Sequence, residues 1–205
     1  MNLTLSAAQT GVLNGQLILT FTPEAVNPSD DPAIVFISTQ GRVLNFTFPA
    51  NSTQAVFAGA ASAMFQTGSV AGTVNLSVFL EGALNASRNI TIRRQAPTIR
   101  SVSIASRTAS SFELVIDGLS NTRVVNQGEF RFTARGGGNL ATTLVPVSLT
   151  NDANGWFQGE ASRQFGSQFT LVVVFNVQGD ISAIGSVSVA LSNGEGTSAQ
   201  VSASF

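Results

Sequence analysis

Residues 157–165 read FQGEASRQF, and one hundred positions earlier residues 57–65 read FAGAASAMF. Five of the nine positions coincide: Phe57/Phe157, Gly59/Gly159, Ala61/Ala161, Ser62/Ser162 and Phe65/Phe165. The retained residues are those that packing and backbone geometry ask for. The positions open to chemistry differ, Ala60 against Glu160 and Met64 against Gln164. Ser62 and Ser162 persist, but the chain holds no His to activate either one. The echo therefore marks a duplicated fold rather than a duplicated site. The spacing Phe57, Ala61, Phe65 suits one side of a short helical turn and, being even, also one face of a strand. On either reading both rings are expected in the core.

Outward from this segment, alternation of period two dominates, and no stretch of 11 or more residues holds a helical period. Strands are expected at 3–7, 16–22, 33–39, 43–48, 73–80 and 88–93 in the first half. In the second half they are expected at 98–105, 112–118, 129–135, 141–149, 168–177, 184–191 and 198–205. TQGR, LEGALN, RGGGN, NDANG and SNGEG supply the turns. Many short strands broken by Gly/Asn turns predict antiparallel β-sandwiches. AIVFISTQGRVLNFTF parallels EFRFTARGGGNLATTLVPV as a hairpin in each half, and Leu44 keeps the hundred-residue offset to Leu144. Pro97 in QAPT ends strand pairing, so the expected domains are 1–95 and 96–205.

Two further stretches carry a resemblance. TNDANGWFQGEAS at 150–162 is similar to the Asp-x-Asn-Gly stretch of bacterial Ig-like modules of the intimin/invasin type. TGSVAGTVNLSV at 67–78 resembles the strand that follows it in those modules. The first half has PANSTQAV in place of NDANG, and the second has GSQFTLVV in place of AGTV. The resemblance implies an all-β chain of two tandem antiparallel Ig-like β-sandwich domains related by internal duplication. It also implies a spacer, adhesive or assembly role in a large secreted or cell-surface protein.

Composition narrows the chemistry. The chain has 205 residues, no Cys, no Tyr, no His and no Lys, so all ten basic residues are Arg. That removes imidazole bases, imidazole metal ligands, thiolates and Schiff bases. No cofactor is expected. The remaining catalytic option is a carboxylate pair of the glycosidase kind, and Trp156 is the only Trp available for sugar stacking. Charged residues are 10% of the chain, while 43 Ser and Thr with 15 Asn supply the polar surface. This suits an extracellular repeat module. Residues 1–12 lack the pattern of a signal peptide, and LVVVF at 171–175 is too short to span a bilayer.

Charge is unevenly placed. Residues 82–112 carry Arg88, Arg93, Arg94, Arg100 and Arg107 with no acid, a local charge of +5 between two segments of −3 each. Arg88, Arg93, Arg94 and Arg100, with Trp156, are the candidate ligand-binding residues, suited to an anionic glycan or the acidic face of a neighbour. The alternative is that these arginines pair with acids or guard a strand edge. Nucleic acid is not expected, because the chain is slightly acidic and its fifteen Phe alternate like core residues. Asp30, Asp31 and Asp152 lie in Asn/Asp-rich stretches that shape turns and do not meet the EF-hand pattern, so no metal site is assigned. Six Asn-x-Ser/Thr sequons, at Asn2, Asn45, Asn51, Asn75, Asn85 and Asn89, are read as composition. SAQVSASF at the end pairs into the last sheet, while NLTLSAA at the start can add to a neighbour's edge, the route to self-association through terminal strands. The expected function is a non-catalytic structural or adhesive module, with carbohydrate binding as the alternative.

Overall fold

The computed structural model describes all 205 residues. The chain is almost entirely antiparallel β and forms two compact units. The first comprises Met1–Glu24 and Asp30–Arg93; the second comprises Arg94–Phe205 and a five-residue strap, Ala25–Ser29.

The first unit is built on one sheet. Its strands are β1 (Leu13–Pro23), β2 (Val43–Phe48), β3 (Gly72–Leu80) and β4 (Ala83–Ile92), in the order β2-β1-β3-β4. Leu17, Leu19, Leu44, Phe46, Phe48, Val74 and Leu76 fill its inner face. Alternation sends Asn14, Gln16, Asn45 and Asn75 to the other face. β3 turns into β4 through Glu81 (φ 47°) and Gly82 (φ 82°), a two-residue loop with both φ positive, whose twist matches the flanking strands.

The opposite layer of this unit is made of turns and isolated bridges, and here two expectations fail. Residues 33–39 are not a strand, so β2 pairs with β1 rather than with them. Pro32 precedes the apolar run, and Asp31 folds inward to hold the turn. Its Oδ1 accepts from Ala33 N at 2.9 Å, and its Oδ2 accepts from Val70 N at 2.9 Å and Ser69 Oγ at 3.0 Å. Ile34 and Phe36 then bury themselves from turns. The segment expected at 3–7 is reduced to a single bridge, Thr4 to Gln54. It is nevertheless engaged within its own unit: Leu5 N donates to Thr53 O, Ala55 N to Leu3 O, and the Met1 amino group to Ala63 O at 2.6 Å.

The second unit is an Ig-like two-sheet sandwich. One sheet is β5 (Thr98–Arg107), β6 (Ser111–Leu119) and β9 (Gln168–Asn176) in the order β5-β6-β9. The other runs β11-β10-β7-β8 with β12 also on β10. Its strands are β7 (Gln127–Ala134), β8 (Leu144–Ser148), β10 (Ile184–Asn193), β11 (Gly196–Thr197) and β12 (Val201–Ser204). Seven principal strands divided three and four over a common core is the Ig-like arrangement. Phe112, Leu114, Ile116 and Phe169 meet Phe130, Val187, Val189 and Leu191 between the sheets. Enclosing one such ring contributes about 1.5–3 kcal/mol. The strand order β8-β7-β10-β12 repeats the β2-β1-β3-β4 order of the first unit, so the internal correspondence survives at the level of one sheet.

NDANG, read as a turn, lies inside a helix, α1 (Thr150–Gln158), followed by a 3₁₀ segment at Glu160–Phe165. Phe157 is buried at the end of α1, and Phe57 is buried in a turn. Phe165, however, is 43% exposed, against the expectation that both rings enter the core. Gly166, at φ +60°, redirects the chain after the 3₁₀ turns and leaves that ring outside. No helix is long and apolar enough to cross a membrane.

Candidate functional site

In the second unit, β5, β6 and β9 present a row of polar side chains on their outer face. Ser101 lies opposite Asp117, and Asp117 opposite Thr170. Ser101 Oγ donates to Asp117 Oδ2 at 3.1 Å, and Thr170 Oγ1 to Asp117 Oδ1 at 2.6 Å. The register of β5 against β6 slips between Ile99 and Ser101. Arg100 is the extra residue of that bulge, an irregularity that re-aims a side chain.

Beside this row stands an aromatic pair. α1 carries Trp156 and the 3₁₀ segment carries Phe165, with ring centroids 5.9 Å apart and planes inclined by 31°. Trp156 Nε1 donates to Gln168 O at 2.9 Å, which fixes the indole, and Arg100 Nη1 reaches Gln168 Oε1 at 3.4 Å. Together these residues line a groove of about 500 Å³ with Gly118 and Phe169 on its floor.

The groove brings together two of the five residues expected from sequence, Arg100 and Trp156. The other three do not line it. Arg88 lies on β4 of the first unit, opposite Leu76 and therefore on the inward parity of an exposed edge strand. An inward-pointing charge at a strand edge opposes pairing with another chain. Arg93 and Arg94 lie exposed in the segment after β4. Sequence reasoning missed Asp117, Phe165 and Gln168. Alternation in FELVIDG places Asp117 on the outward face with Glu113, a signal that could have found it. Nothing in the sequence marks Gln168.

A buried arginine holds this region together. Arg123 is fully enclosed. Its Nη2 donates to Phe157 O at 2.5 Å and to Ser162 Oγ at 2.8 Å, and its Nη1 donates to Gly166 O. Its Nε donates to Asn27 O at 2.9 Å, and its guanidinium lies 5.1 Å from the centre of the Phe157 ring. Ser162, the serine shared by both halves, is thus a buried scaffold residue, while Ser62 is exposed.

No family model matches the chain, and no curated protein matches it. Among solved structures it is similar to a two fibronectin type-III domain segment from chicken tenascin, at 14% identity and a TM-score of 0.32, covering 100% of this chain and 99% of that one. It is also similar to the FN1–FN3 domains of chicken CNTN1, at 12% identity and a TM-score of 0.31, covering 97% of this chain and 63% of that one.

Proposed function

We propose that the chain is a non-catalytic adhesive module of an extracellular or cell-surface bacterial protein, and that its second unit binds a glycan. The observation that carries this reading is the groove that sets Trp156 and Phe165 beside Arg100, Asp117 and Gln168. Aromatic faces take the apolar side of a sugar ring, and a small set of fixed polar groups takes its hydroxyls, which is the general make-up of a ligand site. Arg100 and Asp117 bring opposite charges, so the groove favours a neutral saccharide over the anionic one that the arginines alone suggest. Both Asp117 oxygens accept hydrogen bonds from hydroxyls, which suits a carboxylate that orients a ligand. The Arg88, Arg93 and Arg94 part of the basic belt is left to an anionic partner or to guarding a strand edge.

A glycan array probed with the full chain tests the reading. Binding is expected, and Trp156→Ala should weaken it by at least about tenfold, the equivalent of about 1.4 kcal/mol. Bound glycans should be recovered at their original length; shortened products would favour a hydrolase. An array without any bound glycan would sink the adhesive reading through this groove. Spacing or filament formation would then be the roles to pursue, by microscopy over a concentration series.

A further inference from the structure

A groove of the first unit lies on the outer face of its sheet, with a volume of about 960 Å³. Its floor is Asn14, Gln16, Asn45 and Phe79 from three adjacent strands, its walls the 81–82 hairpin loop and the turn at Ala58–Gly59. Register places Asn45 opposite Gln16, and Gln16 opposite Phe79, in one row across β2, β1 and β3. Gln16 Nε2 donates to Asn45 Oδ1 at 3.0 Å. That bond leaves Asn45 Nδ2 and the second Gln16 Nε2 hydrogen as amide donors, and Gln16 Oε1 as an amide acceptor, lining the groove. Gly15 is required beneath them: a Cβ there would meet the Phe46 ring at 2.3 Å and Phe79 O at 2.6 Å.

The row does not end at the groove. Farther along the same face Ser77 lies opposite Ser87, Asn75 opposite Asn89 and Thr73 opposite Thr91. Asn75 Nδ2 donates to Asn89 Oδ1 at 2.7 Å, and Ser77 Oγ to Asn75 Oδ1 at 2.7 Å. Neighbouring strands stand ~4.8 Å apart, comparable to the length of one pyranose residue. A sheet of this kind presents hydroxyls and amides as a repeating set, with one aromatic ring, Phe79, among them.

We infer that this face of the first unit is a second carbohydrate site, one that takes an unbranched neutral oligosaccharide laid across β2, β1 and β3. The amide pair of Gln16 and Asn45 gives and accepts a hydrogen bond from adjacent ring hydroxyls. Phe79 takes the apolar face of a ring, and the Ser77/Ser87 pair, next along β3 and onto β4, meets the sugars beyond it. Groove charge comes from Glu81, whose Oε1 is already engaged by Asn14 N at 2.7 Å, so the surface offers an anionic saccharide no cationic partner. The same alternation explains the sequons: Asn-x-Ser/Thr within a strand places both polar residues on one face, as in Asn45/Thr47, Asn75/Ser77 and Asn89/Thr91.

This site stands independently of the Trp156 groove, and one titration separates the two. The full isotope-labelled chain is titrated with a neutral β-1,4-linked glucose hexasaccharide, and with an oligogalacturonate of equal length as the anionic arm, while NMR signals are followed. Expected are shifts of the Asn14, Gln16 and Asn45 side-chain amides with the neutral probe. They should persist in Trp156→Ala; in the double variant Gln16→Ala/Asn45→Ala, whose substituted positions are exposed, the affinity read from the remaining Asn14 side-chain amide should fall at least tenfold. Shifts confined to Trp156, Phe165 and Gln168 would overturn the second site while supporting the first. Equal response to the anionic probe, or no shift at Gln16 and Asn45 at millimolar neutral probe, would overturn it as well.

Discussion

Arg123 is the residue on which the Trp156 groove depends without lining it. Its guanidinium donates to Phe157 O, Ser162 Oγ and Gly166 O, spanning the segment that carries Phe165 and adjoining Trp156. The planar fork reaches several acceptors at once, which an ammonium cannot do. Arg123→Lys should therefore cost at least about 2 kcal/mol, because buried carbonyls lose their donors. Chemical denaturation measures that cost, and a red shift of the single tryptophan's emission should accompany it. An unchanged midpoint and spectrum would show that the fork holds nothing in place. Asp180 offers a second check at this scale. Backbone and side-chain hydrogen bonds from Ser182 hold its carboxyl below the ordinary value, with the side-chain bond the larger cause. A depressed carboxyl contributes stability that is present above its unfolded pKa and lost as pH falls through its folded one. Ser182→Ala should raise the Asp180 titration midpoint seen by NMR; a midpoint that stays put would remove the hydroxyl as the cause.

Among elements, the strands were legible where alternation and turn chemistry agreed. The Glu81–Gly82 loop is the clearest case. Gly82 sits at φ +82° with open space where a Cβ would go. Gly82→Ala should thus cost about 1 kcal/mol from backbone conformation alone, read as a shift in the first unit's thermal transition. A shift several times larger would mean that the loop packs against something. Elements escaped sequence reading where distant residues decide the conformation. AIVFI at 33–37 has strand-like composition, but Asp31 collects amides from Ser69 and Val70, thirty-eight and thirty-nine residues away. TNDANGWFQ is poor in helix formers, so α1 rests on burying Ala153 and Phe157 rather than on propensity. The site was legible by the same measure. Trp156 stood out as the single tryptophan, and Arg100 as one of five arginines in an acid-free stretch. Asp117 and Gln168 are ordinary ones, made useful only by the pairing of β5, β6 and β9.

At the scale of the whole molecule, the second unit draws on a stretch of chain well before the expected joint at residues 95–97. The strap Ala25–Ser29 belongs to that unit. Asn27 alone accepts from Arg123 Nε, donates through Nδ2 to Arg123 O at 2.8 Å and to Asn154 Oδ1 at 2.9 Å, and accepts from Gln158 Nε2 at 3.2 Å. Two of these partners, Asn154 and Gln158, lie on α1, the helix that positions Trp156. We propose that 1–95 and 96–205 are separable domains only at a cost to the second. A fragment of residues 96–205 would retain both sheets and their core, because every paired strand of the sandwich lies after Pro97. It would lose the strap and leave a buried Arg123 N–H without its Asn27 acceptor, at about 1–3 kcal/mol. For a domain of this size that corresponds to a fall in Tm of about 5–15 °C. Adding a synthetic peptide of residues 23–31 should recover part of the loss. A fragment that melts where the second unit of the full chain does, with its tryptophan emission unchanged, would show that the strap is a passenger.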